Sequence, residues 1–238
     1  MKGQPLIAAV SSLLRLLLPH SCVICGLSLA EGHFCGACRS DLPWTGIACE
    51  RCGKPLAVPL PPGAYCFDCQ LRPPPFEKAF APLLYIFPVD GALKALKFRR
   101  QLFYAPAFGK LFLPLLEEIF ADVDALLPVP LHPRRHARRG FNQAAELCRP
   151  LRRKSGLPVI GNVRRVRFTK PQTGLDAVER RRNMKAAFAV HGSLYFRHPL
   201  VVDDVITTGE TCRQLAGTLL AAGAERVSVL AVARAVPA

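Results

Sequence analysis

The sequence predicts an α/β protein, a parallel sheet flanked by helices and preceded by a small metal-holding module. Three observations carry this. Apolar strand-like runs alternate with helical patterns through the C-terminal two-thirds of the 238 residues. The run VVDDVITTGET, Val201 to Thr211, joins a continuous apolar stretch to two acids, a short polar turn and a helical pattern. Four C-x-x-C pairs lie between Cys22 and Cys69.

The N-terminus, MKGQPLIAAVSSLLRLLLPHSC, reads as a short apolar helix over residues 1–19. Arg15 interrupts its leucine run and no small-x-small cleavage site follows, which argues against a signal peptide. The run is also too short to span a bilayer. The expected location is the cytoplasm, with peripheral contact at the inner membrane face as the alternative.

Residues 20–72 form the cysteine module. Two thiolates three residues apart can point into one tetrahedral site from a tight turn. CVICG followed by CGAC is echoed by CERCG followed by CFDC, an internal repeat with glycine after each leading pair. Consecutive pairing gives two structural zinc sites, Cys22/Cys25/Cys35/Cys38 and Cys49/Cys52/Cys66/Cys69; interleaved pairing is also compatible with the spacing. Regular C-x-x-C spacing without a secretory context favours metal over disulfides. Cys148 and Cys212 stand outside the module and read as small core residues.

QLRPPPF, residues 70–76, is a proline-stiffened linker, and a second domain is expected over 76–238. Within it AFAPLLYIF is extended, and DGALKALKFRR is helical with Leu93, Leu96 and Lys97 at helical spacing. FGKLFLPLLEEIF is a helix interrupted by Pro114, and ADVDALLPVPL is a strand. HPRRHARRGFNQ reads as a loop, AAELCRPLRRKSG as a helix that Pro150 bends, and GLPVI as a short strand. The basic stretch 163–183 lacks periodicity and reads as a long functional loop. AAFAVHG, HPLVVDD and ERVSVLAVARA are strands, and Val201–Asp204 falls in the middle of the sheet.

Charge narrows the ligand class. Residues 1–75 carry six basic and four acidic side chains, and residues 76–238 carry 26 and 13. The positive field of the second domain suits diphosphates, nucleotides, nucleic acid or anionic lipid. At the end of the central strand, Asp203 and Asp204 would accept hydrogen bonds from sugar hydroxyls. Thr207, Thr208, Gly209 and Thr211 would hold a phosphate at a helix N-terminus. Both acids are expected to face ligand rather than core. The segment from Arg139 to Gln143, with Gly140 permitting close approach, is favoured over Arg134 and Arg135 for a diphosphate.

The run VVDDVITTGET resembles the diphosphosugar signature of type I phosphoribosyltransferases, which bind 5-phosphoribosyl 1-diphosphate (PRPP) with Mg²⁺. The order PVPL, RGFNQ, Arg167-Phe168-Thr169-Lys170-Pro171-Gln172, Arg181-Arg182-Asn183 and VDDVITTGET, behind LLLPHSCVICG and paired cysteines, resembles the competence protein F (ComF) family. The resemblance implies a type I phosphoribosyltransferase-like sheet behind a double zinc ribbon. It also implies a link to natural competence and DNA uptake, with single-stranded DNA and a helicase-like protein as expected partners. The PRPP site it implies comprises Asp203, Asp204, Val205, Ile206, Thr207, Thr208, Gly209, Thr211, Arg138, Arg139 and Gly140. Glu210 stands where the family often has a small residue and is expected to face solvent.

Two functions fit these residues. One is phosphoribosyl transfer to an acceptor for which no residue stands out as general base. The other is a non-catalytic PRPP- or nucleotide-sensing protein that binds single-stranded DNA or a partner. Phe98, Phe103 and Tyr104 beside Arg99 and Arg100 are candidate stacking platforms, although core packing is the default reading for them.

Overall fold

A computed structural model describes residues 20–111, 113–114, 121–167 and 187–236. The helix expected over 1–19, residues 112 and 115–120 of the interrupted helix, and residues 168–186 of the basic stretch lie outside these. The chain divides into two compact units, residues 1–42 and 43–238.

In the first unit, β1 (His20–Ser21) pairs antiparallel with β2 (Ser28–Leu29). Helix α1 (Gly36–Ser40) follows, its N-terminus capped by Cys35. The second unit begins with the second cysteine cluster and its helix α2 (Phe67–Leu71). Thr45 ties this segment to the sheet, its hydroxyl donating to the Ala81 carbonyl at 2.6 Å.

The main sheet is parallel throughout. Its strands are β3 (Lys78–Phe80), β4 (Leu83–Leu84), β5 (Ala125–Pro128), β8 (Pro199–Ile206) and β9 (Ser228–Arg234). Their order is β3-β9-β8-β5, with β4 also on β9, so β8 lies inside the sheet as expected. Burial on both faces explains the unbroken apolar runs LVV in β8 and VLAVA in β9. Helix α7 (Glu210–Ala221) packs Cys212, Leu215, Ala216 and Leu219 against Val201, Val229 and Ala231. Leu147 and Leu151 of α6 (Gln143–Ser155) lie with Val202, Leu230 and Val232. Cys148 and Cys212 are buried core residues, as the sequence implied.

Three expectations need correction. HPRRHARR is not a loop: Pro133–Arg139 is helix α5. Pro133 sits at its start, His132 Nδ1 accepts the Arg134 N–H, and Gly140 closes it at φ +84°. GLPVI makes only a single bridge to β5, Leu126 to Val159, because Pro158 has no N–H for a ladder. The start of the basic stretch is regular: β6 (Val163–Arg165) pairs antiparallel with β7 (Phe188–Val190).

Pro150 lies inside α6 and serves a packing role there. Helix α4 (Tyr104–Leu111) approaches α6 at Gly109, where a Cβ would fall 2.8 Å from Pro150 Cγ and 2.9 Å from the Leu147 carbonyl oxygen. Gly109→Ala should therefore destabilise the protein by about 1–3 kcal/mol through overpacking, despite alanine's better helix propensity. Urea unfolding followed by circular dichroism checks this; an unchanged midpoint would contradict the close approach.

Candidate ligand site and metal centres

The strand β8 delivers Asp203 and Asp204 next to the strand ends that open onto the turn. Val202 lies opposite Pro128 at the end of β5, and Asp203 opposite Ala231 of β9. Ligands of parallel α/β sheets bind outside these carboxyl ends. Contrary to expectation, neither acid is open to solvent; Asp204 is 3% exposed. The strand is covered on both faces, so its acids are buried with it and need partners.

Asp204 has them. Its Oδ2 pairs with the Lys97 ammonium, from α3 (Val89–Arg99), and Gln143 Nε2 approaches its Oδ1 at 3.4 Å. Arg139 donates to Gln143 Oε1, so the RGFNQ motif reaches Asp204 through its glutamine. Asn142 of the same motif caps α6, accepting the Ala144 N–H at 3.0 Å and donating to the Val129 carbonyl. Burial pushes the Asp204 carboxyl up, but the Lys97 charge and hydrogen bond outweigh it and hold it below the usual carboxylate range. Asp203 goes the other way. Burial, then the neighbouring Asp204 charge, raises it well above its ordinary 3.8, although its Oδ1 accepts the Asp204 N–H at 2.8 Å.

Further cations face this pair. Arg135 and Arg139, one turn apart on α5, are partly buried, whereas Arg134 and Arg138 are exposed on its other side. Arg165 of β6 is buried, and burial, then Arg135, pulls its guanidinium down to about 10 while Asp203 opposes. Among the arginines expected on a diphosphate, Arg139 is thus placed near Asp204 and Arg138 points outward. Lys97 and Arg165 are additions to the expected set, whereas Gln143 closes the expected segment Arg139–Gln143 and Arg135 ranks below it.

The turn after β8 is braced from beneath. Arg234, at the end of β9 and in register with Ile206, donates to the Ile206 carbonyl at 2.9 Å and to the Thr207 carbonyl. Gly209 holds φ +78° and no side-chain cap hydrogen bond is made by it at the N-terminus of α7. Thr207, Thr208, Gly209 and Thr211 remain at least partly accessible, while Ile206 is core and Val205 half-buried. Glu210, expected at the surface, is 3% exposed. It accepts from Gln214 Nε2 at 3.0 Å and lies 3.8 Å from the Arg72 guanidinium, partners that make burial tolerable.

The cysteines gather as two consecutive clusters, Cys22/Cys25/Cys35/Cys38 and Cys49/Cys52/Cys66/Cys69, with ligand atoms of each within 4.8 Å of one another. The repeat extends to the backbone. Cys22 N–H donates to Leu27 and Gly26 N–H to Cys22, as Cys49 donates to Lys54 and Gly53 to Cys49. Gly26 and Gly53 occupy the left-handed region at φ +77° and +66°, as such turns require. Backbone N–H groups from Cys25, Cys35 and Ile24 overcome burial and lower the Cys22 thiol to about 6, favouring a thiolate ligand. Four thiolates fill the tetrahedral positions of zinc and leave none open for water, so both centres are structural.

Comparison with known proteins agrees with this assembly. Residues 13–70 match the double zinc ribbon domain family. The DNA utilization protein YhgH of Salmonella typhimurium is 35% identical over 230 residues, covering 92% of this chain and 99% of the relative. Competence protein F of Haemophilus influenzae is 31% identical over 225 residues, covering 90% and 96%. The chain belongs to the competence protein F family. Competence protein ComFC of Bacillus subtilis is 29% identical, covering 79% and 78%. A purine phosphoribosyltransferase structure from Pyrococcus horikoshii overlaps 55% of this chain and 82% of its own at 18% identity and a TM-score of 0.34. That overlap is loose, and the fold described above rests on its own sheet order. No helix among the described residues is long and apolar enough to cross a membrane.

Sequence reasoning missed Arg234 as the brace of the turn, yet an arginine ending the run VSVLAVAR was a visible anomaly. Arg234→Met should weaken any phosphate held by the turn about tenfold or more, because the turn carbonyls lose their donor and the N–H groups lose their aim. It should also cost about 1 kcal/mol of stability for the lost guanidinium hydrogen bonds, the Ile206 carbonyl keeping the Ala235 N–H at 2.9 Å. Titration with ribose 5-phosphate and urea unfolding check the two effects; full affinity in the variant would remove Arg234 from the account.

Proposed function

We propose that this protein binds PRPP with Mg²⁺ at the carboxyl end of β8. The observation that carries the reading is the adjacent acid pair faced by Lys97, Arg139 and Arg165 and continued by the braced turn Thr207–Gly209. Asp203 and Asp204 take the ribose hydroxyls, and Thr207, Thr208, Gly209 and Thr211 take the 5′-phosphate at the N-terminus of α7. Arg139, approached through Gly140, serves the diphosphate. Mg²⁺, bound with the ligand, would offset diphosphate charge. Attack of an acceptor at C1 with departure of diphosphate makes the site a phosphoribosyltransferase; binding without turnover makes it a PRPP sensor. The relatives named for competence and DNA utilization support a role in handling incoming DNA, with a helicase-like partner as the family context.

A specific observation favours contact with single-stranded DNA as a second activity. Phe98 and Phe103, expected in the core, are 74% and 49% exposed, beside exposed Arg99 and Arg100. Phe98 lies in the last turn of α3 and Phe103 just before α4. Exposed aromatics among arginines form a stacking platform on a basic track.

Asp203→Asn should reduce Mg²⁺-PRPP affinity by roughly tenfold, because the amide cannot give up a proton to become the carboxylate that the ribose hydroxyls and bound Mg²⁺ would favour. Stability should respond differently at the two acids. The Asp203 carboxyl is raised in the fold, so the folded state binds more protons than the unfolded one and stability falls as pH rises above about 3.8. Asp203→Asn should abolish that fall and hold or raise stability at neutral pH. Asp204→Asn should lower stability, because it strands the Lys97 ammonium. Calorimetric titration and thermal melts from pH 4 to 8 check both; unchanged PRPP affinity in Asp203→Asn would defeat the ribose assignment.

A labelled single-stranded oligonucleotide should bind weakly, with anisotropy showing about fiftyfold weaker binding between roughly 50 and 200 mM salt if about four phosphates are engaged. Phe98→Ala should weaken it further at constant salt. Absence of binding at the lower salt would leave the metabolite site alone.

A further inference from the structure

Lys97 stands at the centre of the site without belonging to the strand ends or loops that compose it. Helix α3 buries Leu93 and Leu96 fully and places Lys97 on the same side, its side chain 19% exposed. An ammonium carries three N–H donors. Among the described residues Asp204 is the acceptor that the structure gives it, and two N–H donors of the ammonium remain beyond that contact. Arg139 reaches the same carboxylate by way of Gln143, and its guanidinium lies 5.7 Å from the ring centroid of Phe98, the neighbour of Lys97 on α3. Two cations therefore flank Asp204 from adjoining positions on α3 and α5, and one carboxylate cannot neutralise both.

We propose that Lys97 is a ligand-contacting residue, its ammonium bridging Asp204 to the diphosphate of a PRPP-class ligand; this rests on the PRPP reading of the site. One N–H stays on Asp204 while the others turn to the diphosphate oxygens, and the ribose hydroxyls use the remaining lone pairs of the carboxylate. The half-buried ammonium and the buried carboxylate thus never separate, which avoids leaving either desolvated and unpaired. A lysine suits this place because its compact charge has donors in three directions, whereas a guanidinium presents a flat fork. The diphosphate is then held between Lys97 and Arg139, and the turn at Thr207–Gly209 holds the 5′-phosphate independently.

The test compares two ligands that share the ribose and 5′-phosphate. Lys97→Gln keeps a donor toward Asp204 and removes the charge. Mg²⁺-PRPP should bind this variant roughly tenfold to a hundredfold more weakly than wild type, the loss expected for hydrogen bonds to a charged group. Ribose 5-phosphate should change less than about threefold. Equal losses for both ligands, or tighter PRPP binding, would overturn the assignment of Lys97 and leave the PRPP reading standing. Failure of wild type to bind either ligand would overturn that reading and this one with it. Should Lys97→Gln fold poorly, amine labelling of the wild-type protein mapped by mass spectrometry decides: PRPP should protect Lys97 and ribose 5-phosphate should not. Equal labelling under both ligands would overturn the proposal.

Discussion

Two carboxylates in succession on a strand buried on both faces are the constraint around which the second unit is arranged. Like charges about 4 Å apart at an effective dielectric near 20 repel by about 4 kcal/mol, before the cost of removing either from water. The protein resolves this asymmetrically. Asp204 keeps its charge against Lys97, while burial and that charge drive Asp203 toward the protonated form. Helix α3 meets this carboxylate through Lys97, and α5 reaches it through Arg139 and the Gln143 amide of α6. A soluble core with no ligand to serve would gain stability by replacing the whole group with apolar side chains. Its retention is understandable where charge itself has work, as in holding a sugar between hydroxyl acceptors and phosphate donors.

The second cysteine cluster is mechanically continuous with the turn that follows these acids. Arg213, in the first half of α7, donates to the carbonyls of Arg72 and Pro73, at 3.0 Å to the latter, just after α2 leaves the cluster. Arg72 returns toward Glu210 at the start of the same helix. The linker prolines hold this crossing, since residues 73–75 cannot relax into regular structure. Arg234 then fixes the turn from the opposite side, through the carbonyls of Ile206 and Thr207. The second cysteine cluster and a sheet strand therefore converge on the turn Thr207–Gly209. This gives structural zinc in the second cluster a direct bearing on the geometry of the turn.

What could be read from the sequence was local and periodic. The four C-x-x-C pairs, the strand–turn–helix at Val201–Thr211 and the helix beginning after Asn142 all announce themselves within a dozen residues. The helix Pro133–Arg139 was legible too, in proline at its start and glycine at its end, but four arginines in seven residues suggested a solvated loop instead. Glu210 was misplaced because its partner Arg72 lies 138 positions away and only the fold brings it near. The same holds for Arg165 and Arg234, which strand pairing carries to the site. Lys97 is the instructive case. Its helical spacing with Leu93 and Leu96 put a lysine on the apolar face, a conflict that only a buried acid resolves.

Helix α5 carries its four arginines as two pairs that differ in exposure. Arg135 and Arg139 are the partly buried pair, Arg139 attracted by Asp204 and Arg135 set near Arg165. Arg134 and Arg138, about 100° around the helix from that pair, are exposed. The separation follows from helical geometry alone, since residues four apart fall on one face and neighbours do not. Phe98 lies on the boundary, its ring against the Arg139 guanidinium at 5.7 Å, so a base stacked on that ring would meet the residue that reaches Asp204 through Gln143. Arg139 thus touches the exposed ring of Phe98 and, through Gln143, the buried carboxylate of Asp204.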